Sequence, residues 1–115
     1  LIFLSTGGVH SASLSDGKEI LLFHEDVGRH NAIDKVIGEA FVKDICLLDK
    51  LIITSGRISS EMLIKASKRE IPMIVSRSAP TDLAINLGKQ LGITIVGFAR
   101  GKRMNIYSHE QRIVF

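Results

Sequence analysis

The chain has 115 residues and a mass of 12.6 kDa, enough for one hydrophobic core and too little for two. Its hydrophobic fraction of 45% with 5% aromatics and no Trp predicts an aliphatic core of the α/β class. The 15 Lys and Arg are mixed with 12 Asp and Glu for a net charge of +3, which leaves no basic run for nucleic acid and favours a small anionic ligand.

Near the N-terminus, Ser11–Leu14 and Glu19–His24 flank Ser15-Asp16-Gly17-Lys18, a β-hairpin signal built around Asp-Gly. Residues 20–24 read as its second strand. Ile33, Val36, Ile37, Ala40 and Phe41 then recur at helical spacing, which predicts an amphipathic helix. Three apolar runs follow, Leu51–Ile53, Met73–Val75 and Ile93–Val96, of the kind buried on both faces of a parallel sheet. A serine-capped helix with Met62, Leu63, Ile64 and Ala66 separates the first two, and Pro72 closes the loop after it. Pro80-Thr81-Asp82 opens a second helix with Leu83, Ala84, Leu87 and Leu91, ended by Gly92. This is βαβαβ, whose crossovers are right-handed. Asn105–Tyr107 and Arg112–Phe115 are candidate edge strands. There is no internal repeat and no linker, so residues 1–115 form a single domain. No run approaches the roughly 18 apolar residues of a membrane span, and the opening Leu1–Leu4 is too short for a signal-peptide core. A cytoplasmic domain cut from a longer chain is expected.

The densest chemistry lies in Glu25-Asp26-Val27-Gly28-Arg29-His30-Asn31-Ala32-Ile33-Asp34-Lys35, at the passage from strand to helix. Gly28 allows close backbone approach, and the first amides of the helix, near Arg29, His30 and Asn31, suit an anion. A polar turn with Asp26 or Asn31 as the helix cap accounts for the same residue types equally well. The carboxyl ends of the three parallel strands read Thr54-Ser55-Gly56-Arg57, Ser76-Arg77-Ser78 and Gly97-Phe98-Ala99-Arg100-Gly101-Lys102-Arg103. Ligands of open α/β sheets bind beyond such ends, so Arg57, Arg77 and Arg100 are expected at one locus, where guanidinium groups hold phosphate. The Gly-Gly pair and the imidazole of Thr6-Gly7-Gly8-Val9-His10 read as a turn with a structural histidine. The single Cys rules out an internal disulfide, and Cys46, among apolar neighbours, is expected to be buried and inert.

In order along the chain, Thr6–His10, Glu25–Lys35, Ser55–Arg57, Ser76–Thr81 and Gly97–Arg100 resemble the formate dehydrogenase accessory sulfurtransferase family, FdhD. The resemblance implies a three-layer α/β/α fold with a mixed sheet, an N-terminal hairpin plus parallel strands, similar to cytidine deaminases. It implies a carrier that takes sulfur from a cysteine desulfurase and delivers it to the molybdenum cofactor, in its bis(molybdopterin guanine dinucleotide) form, before the cofactor enters formate dehydrogenase. The family's cofactor-contact segment maps onto Phe98, Ala99, Arg100, Gly101, Lys102 and Arg103, with Phe98 available to stack on a purine. Arg57, Ser76, Arg77, Ser78, Gly28, Arg29, His30 and Asn31 complete the expected site, and GDP is a reasonable surrogate ligand. A homodimer is the expected assembly.

The family carries its persulfide on a Cys-x-x-Cys loop ahead of the Thr-Gly-Gly segment, and the sequence begins after that position. No catalytic residue is therefore expected within these 115 residues. A zinc deaminase is disfavoured, since the helix starts read His30-Asn31-Ala32 and Ser59-Ser60-Glu61 and lack both ligand sets, so no zinc is expected. A non-catalytic guanine-nucleotide-binding or dimerisation module remains the alternative.

Overall fold

The structure is a computed structural model that describes residues 9–100 and 103–112, with backbone alone for residues 99, 100, 103 and 112. Strands β1 (His10–Ser15) and β2 (Ile20–Asp26) form the expected hairpin. Its turn follows from Asp16, whose Oδ1 accepts from the amides of Lys18 and Glu19, and from Gly17 at φ 95°. Helix α1 (Arg29–Val42), β3 (Leu51–Thr54), α2 (Ser60–Lys68), β4 (Met73–Ser76), α3 (Asp82–Leu91), β5 (Thr94–Arg100) and β6 (Arg103–Ser108) follow, and a short 3₁₀ turn spans Glu110–Arg112. Ser59 caps α2 by accepting from the Met62 amide, Thr81 caps α3 by accepting from the Ala84 amide, and Gly92 ends α3 in the left-handed region at φ 74°.

The six strands form one mixed sheet in the order β2-β1-β3-β4-β5-β6. Strands β3, β4 and β5 are parallel, while β1 and β6 run antiparallel to their neighbours. Strand β2 therefore points the same way as β3, and four carboxyl ends gather at one rim. Register places Leu22, Leu14, Ile52, Ile74 and Ile95 in a row across the sheet. That row belongs to a single core with Ala32, Ile33, Val36 and Ala40 of α1, Met62, Leu63 and Ala66 of α2, and Ala84 of α3. All three helices thus pack on one face. Each large aliphatic side chain buried there contributes about 1.5–3 kcal/mol. The opposite face carries the row Phe23, Ser13, Ile53, Val75, Val96 and Ile106. The chain is of the α/β class with the mixed sheet expected, an N-terminal hairpin beside three parallel strands. No described helix is long and apolar enough to cross a membrane.

Several expectations need correction. Phe41 is 76% and Leu83 71% exposed, and Ile64 and Leu91 are also exposed. The buried faces keep the expected Ala40 of α1 and Ala84 of α3 and add Ala32 and Gly88. Cys46 is exposed rather than buried. The irregular stretch after α1 turns Ile45 and Leu47 onto the core, and the residue between them faces outward. Arg112 belongs to the 3₁₀ turn and not to a strand, and residues 113–115 lie outside the described residues.

Candidate functional site at the strand carboxyl ends

The rim is built by hydroxyl groups bonded to the backbone of neighbouring loops. Thr54 Oγ1 accepts from the Gly56 amide at 3.1 Å, and Ser55 Oγ accepts from the Ser11 amide at 2.9 Å. Ser76 Oγ donates to the Gly56 carbonyl at 2.6 Å and accepts from the Ser78 amide at 2.9 Å. Ser78 Oγ donates to the Ser55 carbonyl at 3.1 Å. A single parallel bridge between Ile58 and Pro80, with the Thr81 amide donating to the Ile58 carbonyl at 2.9 Å, sews the β3 and β4 loops together. Ser76 is fully buried, so its hydroxyl shapes the rim from beneath.

On the β5 side, Gly97 lies where a Cβ would stand 2.9 Å from Tyr107 Cε2, 3.0 Å from Pro80 Cδ and 3.1 Å from the Ser78 carbonyl oxygen. The next residue, Phe98, has φ 53°, and its amide donates to the Ser78 carbonyl at 3.2 Å. The β5–β6 register breaks between Gly97 and Arg100, so the chain bulges here and leaves Phe98 42% exposed. A bulky side chain in the left-handed region is costly and persists where surroundings fix it. The side chains of Ala99, Arg100 and Arg103, and all of Gly101 and Lys102, lie outside the described residues, as does Thr6-Gly7-Gly8.

On the β2 side, Asp26 organises the strand-to-helix passage. Its Oδ1 accepts from the Gly28 amide at 2.9 Å, and its Oδ2 pairs with Lys35 Nζ at 2.8 Å. The Lys35 hydrogen bond, followed by that from Gly28, pulls the Asp26 pKa down to about 2. Neither Asp26 nor Asn31 caps α1. The N-cap is Gly28, with no side-chain cap bond. His30 Nε2 faces Glu61 Oε1 at 3.6 Å and so brings the starts of α1 and α2 together. Arg29 and His10 both approach Gly56. Of the three expected arginines, Arg57 is exposed, Arg77 is half-buried, and the Arg100 side chain is not described. His10 and Gly56 were not expected in the site. No hydropathy pattern marks them, though the glycine beside Arg57 was a signal.

Among the described residues no group of three or more His, Cys, Asp and Glu is placed to hold a metal ion. Cys46 lies ahead of β3, at the opposite end of the sheet from Thr54–Arg57.

The FdhD/NarQ family profile matches residues 1–114. The chain belongs to the FdhD/NarQ family. It is 49% identical over 111 residues to the sulfur carrier protein FdhD of Bacillus subtilis strain 168, covering 96% of this chain and 42% of that protein. With the protein of the same name from Staphylococcus aureus strain MRSA252 it shares 51% over 113 residues, 98% of this chain and 43% of the relative. The chain thus spans less than half the length of these curated relatives. A crystal structure described as a formate dehydrogenase accessory protein from Desulfotalea psychrophila superposes with a TM-score of 0.87 at 36% identity, covering 93% of this chain and 48% of that one.

Proposed function

We propose that this chain is the cofactor-holding domain of a sulfur carrier that serves formate dehydrogenase. In this reading sulfur comes from a cysteine desulfurase and goes to the molybdenum cofactor, bis(molybdopterin guanine dinucleotide), which is cargo held at the strand carboxyl ends. The name shared by the relatives supports the sulfur-carrier role. The observation that carries the cofactor assignment is Phe98, held at positive φ in a bulge with its ring exposed beside the β4 loop. There its exposed ring suits stacking on a purine, and the basic sequence of segment 100–103, next along the chain, suits the phosphates. Cys46 stands at the far end of the sheet, so sulfur carriage is assigned to another thiol.

Calorimetric titration of GDP tests the reading. Binding should fall by roughly ten- to a hundredfold in Phe98→Ala and in Arg100→Ala. Arg69→Ala, an exposed change beyond α2, should leave it unaltered. Failure of the unaltered chain to bind GDP at millimolar concentration, or equal affinity in all variants, would overturn it. Elemental analysis should find far less than one zinc per chain. Stoichiometric zinc removed by mutating His30 would restore the deaminase reading.

A further inference from the structure

Helix α1 packs on β1 and β2, whereas α2 lies against α3, and a cleft opens between α1 and α2 on the outer side of the helical layer. Asp34 and Ile37 of α1 face Lys65, Lys68 and Arg69 across it, around a volume of 380 Å³. A smaller cleft of 110 Å³ continues toward the end of α1, shares Ile37 and Arg69 with the first, and is lined by Ile45 and Leu47. These apolar residues are half-buried against the core and form a floor. Phe41 stands at its edge, 76% exposed, and Val42 after it is 82% exposed. Large apolar side chains held out beside an apolar trough mark an interaction surface.

Charge decides which partner fits. Asp34 is drawn to Lys65 Nζ at 2.9 Å, a pair that joins the two helices across the cleft. Lys68 and Arg69 also line it, are exposed, and have no side-chain partner among the described residues. Both suit the negative end of α2, but a helix end gives no reason for the apolar floor beside them. Asp44, at φ 58°, lines the far part of the trough. The groove is thus cationic along α2 and apolar below, with one acid at the end of α1.

We propose that this groove docks a short amphipathic segment of a partner protein, its acidic side chains against Lys68 and Arg69 and one aliphatic side chain in the smaller cleft beside Phe41. A dry cavity of about 150 Å³ holds a benzene ring, so the 110 Å³ cleft suits a single aliphatic group. Acids spaced along one face of a helical peptide would meet the α2 cations while its apolar face lies on the floor. The groove lies toward the carboxyl ends of α1 and α2, and the rim of strand carboxyl ends lies at their starts. A partner held here leaves the rim open. Docking does not depend on what the rim binds.

A display library of random short peptides, selected on the unaltered chain, provides the test. Recovered peptides are resynthesised with a fluorescent label and titrated by anisotropy. They should carry Asp or Glu beside a large aliphatic residue, and their binding should weaken with added salt. Affinity should fall about tenfold or more in the double variant Lys68→Glu with Arg69→Glu and in Phe41→Asp, and should hold in Asn86→Ala. All these side chains are exposed. In the unaltered chain the amide signals of Ile37, Ile45 and Arg69 should shift with the peptide, a readout that stands without any variant. Selection that yields no binder, binders without acids, or binders indifferent to both groove variants would overturn the proposal. Self-association of the chain in sedimentation, abolished by Phe41→Asp, would overturn it too, because a second copy would then cover the groove. GDP should bind the peptide-loaded chain as it binds the free one. Peptide binding without any GDP binding would keep the groove and remove the cofactor reading.

Discussion

Lys35 Nζ lies 2.8 Å from Asp26 Oδ2, and through this pair the second turn of α1 is tied back to the last residue of β2. The bond fixes the angle at which the helix leaves the sheet, and with it the positions of Gly28, Arg29 and His30 at the rim. It also lowers the Asp26 pKa from 3.8 to about 2. A carboxylate whose pKa is depressed in the folded state stabilises the fold above its unfolded value and loses that contribution as pH falls. Stability should therefore decline as pH drops through 3.8 toward about 2. Asp26→Asn should flatten this part of the profile and lower stability at neutral pH. Denaturant midpoints measured against pH for both proteins check it; identical profiles would show that the pair contributes nothing.

Two glycines with opposite surroundings make a paired test of the packing. At Gly97 a Cβ would press on Tyr107, Pro80 and the Ser78 carbonyl, the last of them backbone that cannot swing aside. Gly97→Ala should cost about 1–3 kcal/mol, the range for overpacking a filled site. Gly38 lies inside α1, and nothing stands within 4 Å of its Cβ position. Gly38→Ala should stabilise by up to about 1 kcal/mol through helix propensity alone. Thermal or denaturant unfolding of the two variants reads both signs.

The strands were legible because Leu51–Ile53 and Met73–Val75 are short apolar runs between turn signals, and the hairpin because Asp16-Gly17 demands a particular turn. The helices were legible as elements and, through Ile33, Val36 and Ala40 of α1 and Met62, Leu63 and Ala66 of α2, in most of their faces, but not at the large residues on the edges of those faces. Ala84 and Gly88 lay α3 against the sheet while Leu83 points to solvent, and a small residue leaves little trace in a hydrophobic pattern. The rim follows the same logic. Its arginines were visible as residue types, but the approach of Arg29 and His10 to Gly56 depends on the pairing of β1 with β3. The strain at Phe98 likewise arises from a register break between β5 and β6 that neither strand announces alone.

Cys46 should react with a thiol reagent in the folded protein, without denaturant, because it is exposed. Cys46→Ser should leave stability and GDP affinity unaltered, since the residue sits at the end of the sheet away from the rim. Incubation with a cysteine desulfurase and cysteine, followed by mass spectrometry, should show no sulfur adduct on Cys46. An adduct there would make this residue the carrier.

Ser76 joins the two central loops of the rim through one hydroxyl. Its Oγ donates to the Gly56 carbonyl at 2.6 Å and accepts from the Ser78 amide at 2.9 Å, in a position with no solvent exposure. In Ser76→Ala both backbone groups lose this partner, the Gly56 carbonyl in a buried bond and the Ser78 amide in a half-buried one. Each buried group left unsatisfied costs about 1–3 kcal/mol, so the variant should be destabilised by at least about 1 kcal/mol after local relaxation. Asn86→Ala, an exposed change on α3, should stay within about 0.5 kcal/mol of the unaltered chain. Because Ser76 holds the Gly56 and Ser78 backbone of the rim in place, GDP should bind more weakly to Ser76→Ala even at temperatures where it is fully folded. Unfolding curves measured beside calorimetric titrations separate the two effects. Undiminished stability would show that the serine hydroxyl is dispensable, whereas lost stability with unchanged affinity would show that the rim keeps its shape without this bond.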